Sequence, residues 1–143
     1  KLRPNLKLYS IDKRIGSKEL ISENARRLGV TPKDILEEDI NNFFVSHNKN
    51  PFLNANRVII GGCEKTTKLR IINKLSKNMN SGDIVAIPLI DIQTIKELRE
   101  TLKEKNFDVN LNLIQTYKSL SIAEGIRLEP NNPVFLLKAK KLN

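Results

Sequence analysis

The chain has no tryptophan, one cysteine (Cys63) and one histidine (His47) among its 143 residues. One cysteine allows neither an internal disulfide nor a metal cluster, and such usage fits a reducing, cytoplasmic setting. Aromatic residues make up only 5%, which argues against the stacking platforms on which many RNA-binding sheets and barrels rely. No apolar stretch approaches the roughly 20 residues needed to cross a bilayer, so no membrane partner is expected. The opening Lys1-Leu2-Arg3-Pro4-Asn5 has no apolar signal core, and nothing in it argues for export. Acids are also short. Lys and Arg number 25 against 16 Asp and Glu, a formal net charge of +9. Nucleic acid, a polycarboxylate substrate and plain solubility all satisfy that balance, so charge alone decides nothing.

What is present is an ordinary globular composition, 39% hydrophobic and 29% charged, in one domain's length (residues 1–143). Strands and helices alternate. A first strand is expected at Leu6–Ile11, followed by a helix capped by Ser17 and ended by Gly29. A short strand is expected at Ile35–Glu37, and a mostly irregular Asn-rich stretch from Asn41 to Asn56. Val58–Ile60 and Ile84–Pro88 are apolar without alternation, as in parallel strands buried on both faces. Between them lies a helix with Leu69, Ile72 and Leu75 inward and Lys68, Lys74 and Lys77 outward. Asp91 caps a further helix, Phe107–Ile114 alternates like an edge strand, and a loop from Tyr117 to Pro133 leads to a last strand at Val134–Lys138. His47 sits in a polar loop, where a surface or capping role is expected. Cys63 is read as a packing residue. Alternation of this kind predicts a doubly wound α/β sheet, here with a closing antiparallel pair.

Two places invite a ligand. Asp12 ends the first strand just before a helix, as in nucleoside-binding α/β domains; an acid flanking a helix N-terminus is the alternative. The run Glu37-Glu38-Asp39 reads by itself as a solvated charge run. Gly61-Gly62 follows the apolar strand and lets a ligand approach the backbone, or else makes a tight turn.

Four segments carry a resemblance: Leu8-Tyr9-Ser10-Ile11-Asp12-Lys13-Arg14, Val58-Ile59-Ile60-Gly61-Gly62, Phe107-Asp108-Val109-Asn110 and Asn132-Pro133-Val134. Through them nearly the whole chain resembles the C-terminal, decarboxylating half of the precorrin-6Y methyltransferases of the cobalamin pathway, class I S-adenosylmethionine-dependent enzymes. The resemblance implies a Rossmann-like three-layer sandwich, with a mostly parallel sheet in the order 3-2-1-4-5-7-6 and a terminal antiparallel hairpin. It implies S-adenosylmethionine as cofactor, with Asp12 at its ribose, Asp39 and Ile40 at its adenine, and the adjoining Lys13 among its contacts. Gly61 and Gly62 then form the floor between the donor methyl and a precorrin, a tetrapyrrole. Cys63-Glu64 departs from the family, which commonly has small residues there. Lys118 and Arg127 are candidates for the substrate's carboxylates, solvated loop charges being the alternative. No catalytic acid or base and no metal ligand is assigned.

The family's first strand and its Gly-x-Gly loop have no counterpart among Gly16, Gly29, Gly61, Gly62, Gly82 and Gly125. The chain is therefore expected to be N-terminally truncated relative to the family, possession of an upstream methylase domain staying open. Weak binding of the cofactor by this chain alone follows from the same comparison. The strands flanking the missing one should pair with each other or with another chain, giving a homo-oligomer. The reaction implied is methylation at C-15 with decarboxylation of the C-12 acetate. An RNA or tRNA methyltransferase and a non-catalytic scaffold are the other classes considered; nucleic acid is the less expected partner.

Overall fold

The computed structural model describes residues 5–46 and 51–143, so His47 lies outside the described residues. The chain forms two compact units, residues 1–52 and 53–143.

In the first unit, β1 (Tyr9–Asp12) and β2 (Asp34–Glu37) pair in parallel, Tyr9 opposite Asp34 and Asp12 opposite Glu37. They are joined by α1 (Ser17–Leu28), which packs on β2. The N-cap of α1 is Gly16, at φ 80°, in place of Ser17. Ser17 is instead buried, its hydroxyl donating to the Asp12 carbonyl at 3.2 Å. Gly29 closes the helix at φ 63°, its position in the left-handed region being one that glycine fills without a Cβ clash. The stretch expected to be irregular contains α2 (Ile40–Ser46) and a single 3₁₀ turn at Pro51–Asn54. Phe43 is fully buried, stacking edge-on with Phe44 and Phe52, and Phe52 meets Tyr9. This aromatic cluster gives the short helix the apolar contacts that its Asn-rich composition hides.

In the second unit, β3 (Arg57–Ile59), α3 (Lys65–Leu75), β4 (Ile84–Leu89) and α4 (Ile92–Glu104) follow in order. Then come β5 (Phe107–Ile114), β6 (Tyr117–Ile122), β7 (Gly125–Pro130) and β8 (Val134–Lys141). The sheet order is β3-β4-β8-β5: β3 and β4 are parallel, and β8 is antiparallel to both of its neighbours. One face holds the core. Val85, Ile87, Leu137, Ala139 and Phe107 lie buried there beneath Ile95, Leu98 and Leu102 of α4 and Ile72 and Leu75 of α3. Asp91 caps α4, accepting from the amides of Gln93 (3.0 Å) and Thr94 (3.2 Å).

Two expectations are corrected. β3 and β4 are not buried on both faces: β4 alternates between buried and half-buried residues, and Ile59 of β3 is 79% exposed. Nor, among the described residues, do β1 and β3 pair with each other, which removes one of the two pairings expected of them. Among these residues β1 bonds to β2 and β3 to β4, each at the edge of its own sheet.

Candidate functional site

The carboxyl ends of β1 and β2 bring Asp12, Lys13, Asp39 and Ile40 together. The amide of Glu38 donates to the Asp12 carbonyl at 3.1 Å, holding the two strand ends side by side. Lys13 Nζ lies 3.9 Å from Asp39 Oδ2. The other oxygen of Asp39 accepts from the Asn41 amide at 2.8 Å, as an N-cap does for α2. Asp39 is thus an anchored side chain with one oxygen engaged by backbone, which replaces the reading of a freely solvated charge run. Ile40 is half-buried as the first residue of α2.

Asp12 is held more tightly. Arg14 donates to it from Nε (3.1 Å), from Nη2 (2.7 Å) and from its backbone amide (3.0 Å). The side-chain bonds from Arg14, seconded by its amide, hold the Asp12 carboxyl below its ordinary value near 3.8, against a small opposing effect of burial. The group is therefore a carboxylate at every physiological pH. Two oxygens offer about four lone-pair positions, so a diol reaching Asp12 must share or displace the exposed Arg14. Beside it, Glu37 accepts from the Lys18 amide at 3.3 Å, satisfying a donor in the first turn of α1.

In the second unit, Gly61 and Gly62 follow β3. The Cys63 amide donates back to the Gly61 carbonyl at 3.0 Å, so the chain does turn here. Neither glycine has the left-handed φ that forbids a side chain, and a Cβ built on either meets nothing among the described residues within 4 Å. Neither the turn nor the packing of this chain therefore demands glycine at these two positions. The loop is held from behind by Lys68, expected outward but buried, whose ammonium donates to the Cys63 carbonyl.

Lys118 and Arg127 lie on a β-hairpin formed by β6 and β7, where a loop was expected. Lys118 pairs across the strands with Glu129 at 2.9 Å. Arg127 stands opposite Leu120 and so shares the face of Lys118. The hairpin leaves the sheet beside Ile114 and Val134, at the end where β3 and β4 finish. Gly61, Gly62, Lys118 and Arg127 therefore belong to the same end of the four-stranded sheet. Ligands of open α/β sheets gather at the carboxyl ends of the strands.

Arg14 and Lys68 escaped the sequence reading. Lys68 had a signal: it stands four residues before Ile72 and seven before Leu75, on the buried stripe of α3. Arg14 had only its place two residues after Asp12. Among the described residues no group of acids, histidine or cysteine is arranged to hold a metal ion, and no helix is long and apolar enough to cross a membrane.

No family model and no curated protein matches the chain. Solved structures do. The chain is similar to a precorrin-6Y C5,15-methyltransferase from Geobacter metallireducens, at 20% identity, covering 96% of this chain and 70% of that one, with a TM-score of 0.79. It is similar to a precorrin 8W decarboxylase from Methanobacterium thermoautotrophicum at 21% identity, covering 92% and 68%, with a TM-score of 0.77. A tRNA methyltransferase from Aquifex aeolicus aligns at 14% identity, covering 96% and 54%, with a TM-score of 0.68. At these identities the likeness is one of fold, and that fold is the Rossmann-like α/β fold of the class I S-adenosylmethionine-dependent methyltransferases.

Proposed function

We propose that this chain binds S-adenosylmethionine and serves methyl transfer to a carbon of precorrin-6Y, coupled to loss of carbon dioxide from an acetate side chain. The observation that carries the cofactor reading is the open space over Gly61-Gly62. Two glycines that the backbone does not require, at the carboxyl end of a parallel strand, are suited to a ligand that approaches from outside the chain. A separate candidate contact is Asp12, an ionised carboxylate at the end of β1 that can accept both hydroxyls of a ribose. Asp39 keeps Oδ2 toward Lys13, a position from which it can accept from an adenine amino group once Lys13 turns away. Ile40 offers an apolar surface to the ring.

S-adenosylmethionine supplies a methyl group on a sulfonium, open to in-line displacement. The protein's part is then to position and to exclude water, which needs no acid–base pair. Lys118 and Arg127, on one face of the hairpin, suit a substrate rich in carboxylates. Precorrin as substrate is favoured by the precorrin enzymes among the similar structures, together with Gly61-Gly62 and Asn132-Pro133-Val134. RNA methylation is the second reading, favoured by tRNA and rRNA methylases among the same neighbours and by the net charge of +9.

Incubation with donor carrying a labelled methyl separates the two. Label entering a tetrapyrrole polycarboxylate, with release of carbon dioxide, supports the first reading. Label entering RNA, with an affinity that falls steeply as salt rises, replaces it.

A further inference from the structure

In the second unit α3 and α4 pack side by side, and Lys65 joins them through Glu97 at 2.7 Å. The groove along α3 is basic. Thr66, Leu69, Arg70 and Lys74 of α3 line it, with Lys77 just beyond that helix and Lys105 at the end of α4. Both helices run back from the carboxyl ends of the parallel strands β3 and β4. Lys74, Lys77 and Lys105 therefore gather at the end of the sheet away from Gly61-Gly62.

The stripe on α3 is straight and of one sign. Residues 66, 69, 70 and 74 recur at helical spacing and span about 12 Å along the axis. No acid occurs from Lys65 to Gly82, and among the described residues none lines the groove. Among these residues Lys74, Lys77 and Lys105 enter no salt bridge. Arg70, Lys74 and Lys77, spaced four and three apart, set like charges side by side, which by itself costs helix stability. An anion in the groove reverses that sign.

The lining selects among anions. It holds no aromatic side chain, so unstacked RNA bases find no platform there. Leu69 is half-buried while Arg70, Lys74 and Lys77 are exposed, so the apolar contact lies recessed behind a charged rim. Phosphates of a duplex, or the flat surface of an anionic membrane, meet the rim and leave Leu69 unused. A helix uses both. It packs along the groove between two others with axes about 8–10 Å apart, and its carboxylates at i and i+4 rise by the same step as Arg70 and Lys74. An apolar residue on the same face reaches Leu69. We infer that the α3–α4 groove is a docking surface for an acidic amphipathic helix of a partner protein. The inference stands independently of the methyl-transfer reading.

Fluorescence anisotropy of a labelled synthetic peptide titrated with the full chain tests it. The peptide is helical, with Glu at i, i+4, i+7 and i+11 around a central Leu on one face. A control peptide of the same composition spreads its Glu around the helix. The patterned peptide should bind at micromolar concentration, and the control roughly 10-fold more weakly or worse. The double variant Lys74→Glu, Lys77→Glu should weaken the patterned peptide by about 10- to 100-fold. Lys96→Glu, Arg99→Glu makes the same change of charge at exposed residues of α4 outside the groove, and should bind as wild type does. Circular dichroism checks each fold. Should the first double variant misfold, Lys77→Gln, in the turn after α3, takes its place with a loss of about 3-fold or more. No binding, equal affinity for the two peptides, or equal losses in both double variants overturns the inference. So does an RNA hairpin that binds more tightly than the peptide and displaces it through Lys74 and Lys77, which would make the groove a nucleic-acid surface.

Discussion

Replacing Lys68 by methionine probes the support behind the glycine loop. Lys68 is 6% exposed and donates its ammonium to the Cys63 carbonyl. Methionine keeps the unbranched stem in the α3 packing but removes the donor. A hydrogen bond from a charged group contributes about 1.5–3 kcal/mol. A chain of 143 residues unfolds with an entropy of about 0.3 kcal/mol/K near its midpoint. Lys68→Met should therefore lower the Tm by roughly 5–10 °C. The loss should be local in origin. Amide exchange by mass spectrometry should quicken at residues 61–64 while the fragment covering β8 changes little. Calorimetry and exchange together decide the matter: a Tm within a degree of wild type, with unaltered exchange at 61–64, would show that the ammonium does not hold this loop.

Four further outcomes follow from particular residues. Asp12→Asn should weaken S-adenosylhomocysteine by about 10- to 100-fold, the worth of charge-assisted bonds, with an unchanged circular dichroism spectrum. Because Arg14 depresses the Asp12 pKa, its carboxylate and any stabilisation it gives persist at neutral pH and fade only as pH falls through that depressed value. Titrating wild-type binding downward should show no loss on the approach to pH 3.8, and an inflection near pH 6 would contradict the assignment. Asp91→Ala removes the α4 cap and should lower the Tm by a few degrees at neutral pH; the Asp91 pKa is depressed chiefly by the Thr94 hydroxyl, so the gap to wild type should narrow in acid below the usual carboxylate range. Ala123 holds φ 44° in the hairpin turn, so Ala123→Gly should slow amide exchange in β6 and β7 by relieving roughly 1 kcal/mol of backbone strain.

The order of strands and helices was legible because periodicity reports local burial, and it placed the elements well from Ile84 to Ile114. Strand β5 could be read directly from alternation, β8 from its apolar run, and the cap at Asp91 from an acid before an apolar face. The two misread segments share a cause. In residues 41–56, polar Asn conceals a helix whose stability comes from Phe43 and Phe44 meeting Phe52 and Tyr9, contacts that no local pattern encodes. In residues 117–130, Ser, Gly and Pro suggested a loop, but the ribbon of β5 and β8 simply continues past the Gln115–Asn131 base. Apolar runs at Val58–Ile60 and Ile84–Pro88 announced strands and overstated their burial, because composition does not tell which face a helix covers. For the candidate site, sequence identified the acids and glycines but not what holds them. Arg14 on Asp12 and Lys68 behind Cys63 are long cations, and only the folded chain reveals where their ends reach.

The central claim is the proposal that the chain binds a nucleoside cofactor, with Asp12 at the end of β1 of the first unit and Gly61-Gly62 after β3 of the second each a candidate contact. Titration of S-adenosylhomocysteine into the ¹⁵N-labelled chain, followed by amide chemical shifts, tests it directly even at weak affinity. The account predicts saturable shifts at Asp12, Ile40, Gly61 and Gly62 that vanish in Asp12→Asn. Shifts confined to other residues, or none at millimolar ligand, would contradict it.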